Sequence, residues 1–122
     1  MSQSTTLILL PQTAYDGGSN HAPYNVVGNT QPAAAYYLGN RDLQTVNINL
    51  TSVTGNIVIE ASLATTPGTT DWFRVYELAA NNISNVNCNA SVYTNIEGNF
   101  VHMRAKVEGF ANGIVNFVKL SY

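Results

Sequence analysis

The stretch Val53-Thr54-Gly55-Asn56-Ile57-Val58-Ile59 returns later in the chain as Ile96-Glu97-Gly98-Asn99-Phe100-Val101-His102. Each copy opens on Gly-Asn and runs on through strand-like residues. It then meets a Gly-containing turn and returns along a strand that carries an aromatic. The first unit spans Gly55 to Leu78 and the second Gly98 to Tyr122. Two self-similar hairpins separated by a polar strand describe a β-sandwich, because a repeated unit of this kind buries its apolar face only against its neighbour.

Outward from that repeat, alternation continues. Val46, Ile48 and Leu50 share a phase opposite Asn47 and Asn49; Ile57, Ile59, Ala61 and Leu63 share one opposite Val58, Glu60 and Ser62. Val86, Cys88, Ala90 and Val92 alternate with Asn87, Asn89, Ser91 and Tyr93. Leu7 to Leu10 is a short first strand ended by Pro11. Thr65-Thr66-Pro67-Gly68 turns the chain into a strand from Trp72 to Leu78. The last two strands are expected over Phe100 to Val107 and Ile114 to Leu120, joined by a turn at Gly109 to Gly113. Ala33 to Leu38 reads as strand rather than helical turn, because Tyr36-Tyr37 precede Gly39-Asn40. The expected fold is all-β: a single-domain, jelly-roll-like β-sandwich of about eight strands. One-sided alternation turns one face of each sheet to the core and the other to solvent or a partner.

Residues 1–32 form a short first strand plus an extended arm or long loop, and residues 33–122 the sandwich core. From Gln12 to Pro32 the breakers Asp16-Gly17-Gly18-Ser19-Asn20, Pro23, Gly28 and Pro32 interrupt regular structure. Irregular segments of this length are usually functional or disordered. The expectation is an arm that docks on a neighbouring subunit, with Tyr15, Asp16 and Tyr24 as contacts, or else a surface loop. On that reading, removing residues up to Pro32 weakens attachment and leaves the sandwich folded.

The chain has 122 residues, the size of one domain able to bury a core. Hydrophobic residues make up 45% but charged residues only 10%, against the usual quarter. Solubility then rests on Asn, Thr, Ser and Gln. Such a neutral surface suits packing against protein, since little charge must be desolvated on contact; a secreted or virion protein with a merely neutral surface reads the same way. The net charge of −2 and five scattered cations argue against non-specific nucleic-acid binding. No apolar run reaches membrane-spanning length, and Met1-Ser2-Gln3-Ser4 lacks the positive start of a secretory signal. The expectation is a protein made in the cytoplasm without an export signal. The single Cys88 excludes an intramolecular disulfide and lies on an apolar phase, as a buried inert thiol would.

Catalytic patterns are missing: the seven carboxylates show no paired signature, and neither a Gly-x-Ser-x-Gly elbow nor a phosphate-binding glycine loop occurs. No cofactor is expected. One Cys and two His make a soft-ligand metal site improbable. Asp16 to His21 offers oxygen ligands of the type calcium takes, but reads first as a turn. Sequons at Asn49, Asn82 and Asn89 are what an Asn-, Ser- and Thr-rich chain produces by chance. One strand face stands out. If Val101, Met103, Ala105 and Val107 point inward, Phe100, His102, Arg104 and Lys106 line the outside. That stripe is either a contact patch for an acidic protein surface or glycan, or a solvated face whose charges discourage edge pairing. Of Trp72 and Phe73, one ring is expected in the core and the other exposed.

Thr54-Gly55-Asn56-Ile57 with Asp71-Trp72-Phe73, and Gly98 to Val107 with the closing Val118-Lys119-Leu120-Ser121-Tyr122, resemble small β-sandwich structural proteins of tailed bacteriophages. The resemblance covers Thr51 to Tyr122. It implies a virion component without catalytic residues: a capsid decoration (cement) protein, or a neck or tail accessory protein. Its partners would be the major capsid protein or other virion proteins, and it would form a homo-oligomer, a trimer by analogy with local three-fold axes of capsids. The alternative is a sandwich-type carbohydrate-binding module using Trp72, Tyr36, Tyr37 or Tyr93. An enzyme ranks third.

Overall fold

A computed structural model of the chain describes residues 6–15, 24–37, 42–79 and 88–122. Its elements are β1 (Thr6–Leu10), β2 (Thr13–Ala14), β3 (Tyr24–Val27), β4 (Gln31–Pro32), α1 (Ala34–Tyr37), β5 (Leu43–Ser62), β6 (Phe73–Ala79), β7 (Cys88–Glu97) and β8 (His102–Ser121). All strand pairs are antiparallel. The fold is the expected all-β, single-domain sandwich, but its two layers share their central strands.

β5 and β8 are each 20 residues long and pair along their whole length, from Thr45↔Ser121 to Ser62↔His102. The first half of β5 and the last half of β8 carry β7 on one side and β1 and β2 on the other. Their remaining halves carry β6, and β3 with β4. Each long strand therefore runs through both layers and bends between them. The glycines expected to close a hairpin at 109–113 instead bend one continuous strand, and Leu43–Leu50 and Ile57–Ser62 likewise belong to a single strand. The reason lies in the register. Between the pairs Thr51↔Ile114 and Thr54↔Asn112, two residues of β5 oppose Gly113 alone; between Thr54↔Asn112 and Asn56↔Glu108, Gly55 opposes three residues of β8. Bulges of this kind bend a strand while its ladder continues on both sides. Ser52 (φ 53°) and Gly113 (φ 90°) take left-handed conformations there. A Cβ on Gly113 would overlap the backbone of Ser52, so glycine is required by both conformation and space.

Bending brings the inner faces together in one core. Val46, Ile48, Leu50, Val115, Val118 and Leu120 from the first layer join Ile57, Ile59, Ala61, Met103, Ala105 and Val107 from the second. Phe110, set within the β8 bulge, is the largest fully buried side chain among the described residues. The layers also meet at an open edge: Asn29 N–H donates to the Leu9 carbonyl (2.7 Å), and Gln31 Nε2 donates to the Ile8 carbonyl (2.9 Å). Gly28 permits this approach, since a Cβ there would strike the Leu9 carbonyl.

Several expectations need revision. The segment 12–32 is no free arm where it is described: β2, β3 and β4 lie on β8 of the same chain. Breakers shorten these strands without removing them, because β8 offers a ready ladder partner. Residues 33–37 do not form a strand, and Leu38 lies outside the described residues. Ala33 and Ala34 are buried at the start of α1, and Tyr36 N–H bonds back to the Ala33 carbonyl. Leu63 leaves the apolar phase, 62% exposed, because β5 ends at Ser62. Val58 and Ser62, expected outside, are fully buried. Val86, and the side chain of Cys88, lie outside the described residues. No described helix is long and apolar enough to cross a membrane.

Because Leu9 and Leu10 belong to the core, a chain lacking residues 1–32 is expected to lose cooperative thermal unfolding by circular dichroism, rather than to fold without its arm. Point changes grade the same claim. Leu9→Ala costs about 3 kcal/mol in a denaturant titration, and Gly113→Ala costs about 2 kcal/mol. Gly68→Ala, whose added Cβ would meet only Asp71 Oδ2 at 3.4 Å, stays within about 0.5 kcal/mol.

Candidate functional site

Met103, Ala105 and Val107 point into the core, so the alternating residues His102, Arg104, Lys106 and Glu108 face outward from β8. The ladder sets Glu60 opposite Arg104 and Val58 opposite Lys106; on its other side β5 sets Glu60 opposite Arg74 and Val58 opposite Glu77. Six charged side chains thus share one outer face, half of the twelve formed by five Lys and Arg and seven Asp and Glu.

They are paired with one another. Arg104 Nε donates to Glu60 Oε1 at 2.8 Å, with side chains only 21% and 12% exposed. The short distance and partial burial make this a charge-assisted bond of the stronger sort. Trp72 closes over the same guanidinium, whose carbon lies 4.2 Å from the ring centroid. Glu108 receives both Arg74 (3.1 Å) and Lys106 (3.2 Å), tying β6 to β8 across β5. Arg74 also approaches Glu77 at 3.4 Å, an exposed i,i+3 pair of small energetic weight. Val58 is buried among these groups, flanked in register by Lys106 and Glu77, where long charged side chains shield apolar surface with their stems. With three cations and three carboxylates the face is neutral overall. Its cations hold internal partners, which weakens its claim as a receptor for acidic surfaces.

The other residues of the expected stripe go elsewhere. Phe100 precedes β8 and packs against the core, edge-on to Phe73 at 5.7 Å between centroids; the strand begins only at His102, so the alternation does not reach Phe100. His102 donates from Nδ1 to the Ala64 carbonyl (3.1 Å), and its ring meets Tyr36 edge-on. Neither Trp72 nor Phe73 is a core residue: Trp72 lies half-buried against Arg104, and Phe73 is exposed on an edge strand. Tyr15 is no arm contact, because its backbone N–H bonds to the Gly113 carbonyl and its ring packs edge-on to Phe110 (5.6 Å). Tyr24 pairs by its backbone with Phe110 in the ladder. Asp16, with the turn expected from 16 to 21, lies outside the described residues. Among those described, no three His, Cys, Asp or Glu side chains converge as metal ligands would.

The outer face of the first layer has the opposite character. Thr45 Oγ1 donates to Asn95 Oδ1 (2.8 Å), and Asn49 Nδ2 to Ser91 Oγ (3.4 Å). Asn116 Nδ2 reaches both Asn49 Oδ1 (2.8 Å) and Thr51 Oγ1 (2.9 Å). This ladder of amides and hydroxyls crosses β7, β5 and β8. Lys119 is the one cation among its described residues, folded over the Phe117 ring at 4.3 Å. Tyr93, 73% exposed, stands among these groups in register with Asn47. A grouping of Thr45, Asn47, Asn49 and Thr51 with Ser91, Tyr93 and Asn95 was written in the alternation itself, but which strands lie side by side was not. Gln44 anchors one end: its Oε1 accepts from Ala34 N–H, and its Nε2 donates to the Ile96 carbonyl at 2.8 Å.

No protein-family model matches the chain, and no curated protein matches it. Among solved structures, a chain from the structure of infectious bursal disease virus, Gx strain, overlaps 98% of this chain at a TM-score of 0.39 and 10% identity. The overlap takes in 32% of that viral chain, so this protein spans about a third of its length.

The Arg104–Glu60–Trp72 group is testable through the single Trp of the chain. Arg104→Met should expose Trp72, raising acrylamide quenching of its fluorescence. It should also cost about 2 kcal/mol, since the part-buried Glu60 carboxylate loses its charged partner.

Proposed function

We propose that the protein is a structural component of a virion that binds neighbouring virion proteins, most specifically as a capsid decoration protein, with no catalytic role of its own. The observation that carries this reading is the outer face of the first layer. It is a sheet surface of mutually bonded amides and hydroxyls, with Lys119 as the one cation among its described residues and Tyr93 projecting from it. Such a surface loses little solvation energy when another protein covers it, and the exposed ring supplies apolar contact area. A stable interface of standard size buries about 1,600 Å² in total, and many copies around a shell add by avidity. The resemblance of Thr51 to Tyr122 to small phage sandwich proteins supports the virion setting. A neck or tail position involves the same chemistry.

Co-sedimentation with purified shells tests the proposal. The wild-type protein should pellet with shells at a fixed stoichiometry. Asn47→Glu, at the centre of that face, should weaken binding at least tenfold at unchanged melting temperature. A protein that ignores shells but retains a glycan on an array, and loses it on Tyr93→Ala, would replace this reading with the carbohydrate-binding one.

A further inference from the structure

A sheet edge presents unpaired backbone N–H and C=O groups, and folded proteins blunt such edges with short strands, proline or charge. Three of the edges here follow that rule. β1 and β2 are five and two residues long and separated by Pro11. β3 and β4 are four and two residues long, and β4 ends on Pro32. β6 carries Arg74 and Glu77 within seven residues.

β7 does not. It is ten residues long, Cys88-Asn89-Ala90-Ser91-Val92-Tyr93-Thr94-Asn95-Ile96-Glu97, with no proline, no lysine and one charge at its last position. Among the described residues it pairs on one side only, with β5. Another extended strand matches such an edge, because it repeats the same row of donors and acceptors.

We propose that this strand is β7 of a second copy, paired antiparallel about a two-fold axis through Tyr93, so that the first layers of two molecules form one continuous sheet. Two-fold pairing requires facing residues to share a side of the sheet, so the axis must pass through a residue rather than between two. An axis at Tyr93 sets Ser91 opposite Asn95 and Tyr93 opposite its own copy, with Val92 opposite Thr94. The one charge, Glu97, then faces the uncharged position 89, and no like charges meet. The exposed Tyr93 ring packs on its counterpart, a favourable cross-strand pair, and the neutral amide face runs on unbroken. Such a contact is isologous and closes at two copies, unlike the three-fold expected by analogy. It stands independently of the virion reading.

A strand of ten residues is about 33 Å long. It makes a smaller contact than a standard interface, so dimerisation should depend on concentration in the micromolar range. Sedimentation equilibrium of the full-length wild type, from about 1 to 500 µM, should show a monomer–dimer equilibrium. Ser91→Lys/Asn95→Lys places like charges opposite each other and should weaken the dimer at least tenfold. Ser91→Glu/Asn95→Glu should do the same, and an equimolar mixture of the two should recover dimer as a mixed species. Hydrogen exchange of the unaltered protein gives a readout free of substitution: amides of residues 88–97 should gain protection as concentration rises. A wild type that is monomeric across the range overturns the proposal. So does a dimer that both variants keep unchanged, or one formed without added protection in β7.

Discussion

The structure depends on one backbone ladder, that between β5 and β8. Two strands of 20 residues stay paired from end to end although both pass through a bend. The bend is possible because the irregularities of the two strands coincide. Ser52 and Val53 oppose Gly113, and Gly55 lies against the backbone of Gly109 and Phe110. Without that coincidence the strands would form one flat, open sheet, with a single apolar face and nothing to bury it against. With it, Ile57, Ile59 and Met103 of one layer share a core with Ile48, Val118 and Leu120 of the other. Every other strand is an addition to one half of this ladder.

The same period of two distributes polarity unevenly over the exterior. Odd-numbered residues of β8 near its start enter the core, so Arg104, Lys106 and Glu108 must face out, where β5 and β6 present Glu60, Glu77 and Arg74. A chain with few charges thereby concentrates half of them on one face and neutralises them there. The other outer face is left mainly with neutral hydrogen-bonding groups, Lys119 and Glu97 being the charges among its described residues. One layer is consequently stiffened by ion pairs that already hold their partners, and the other is available for contact at small desolvation cost. That division, more than any single residue, distinguishes the two sides of the molecule.

Much of this was legible in the sequence. Strict alternation at Val46, Ile48 and Leu50, and at Met103, Ala105 and Val107, identifies strands and their inward faces, because only one phase of a strand can meet a core. The repeated Gly-Asn and the glycines at 109 and 113 mark where the backbone departs from regular geometry. The low charge and abundant Asn, Ser and Thr foretell the neutral face.

Tertiary structure alone decided what those signals connect. A glycine at positive φ serves a hairpin turn and a bulge equally well, and only the continuing partner strand makes residues 109–113 a bend. The breakers between residues 12 and 32 limit strand length, yet whether the remaining pairs of residues find a ladder depends on β8 lying beside them. Arg104 beside Glu60, Glu108 beside Arg74, and Trp72 over Arg104 join residues more than 30 positions apart. The sequence by itself determined the period of burial along each strand, which is local; strand neighbours and register are non-local choices, set by which pairing closes a single core.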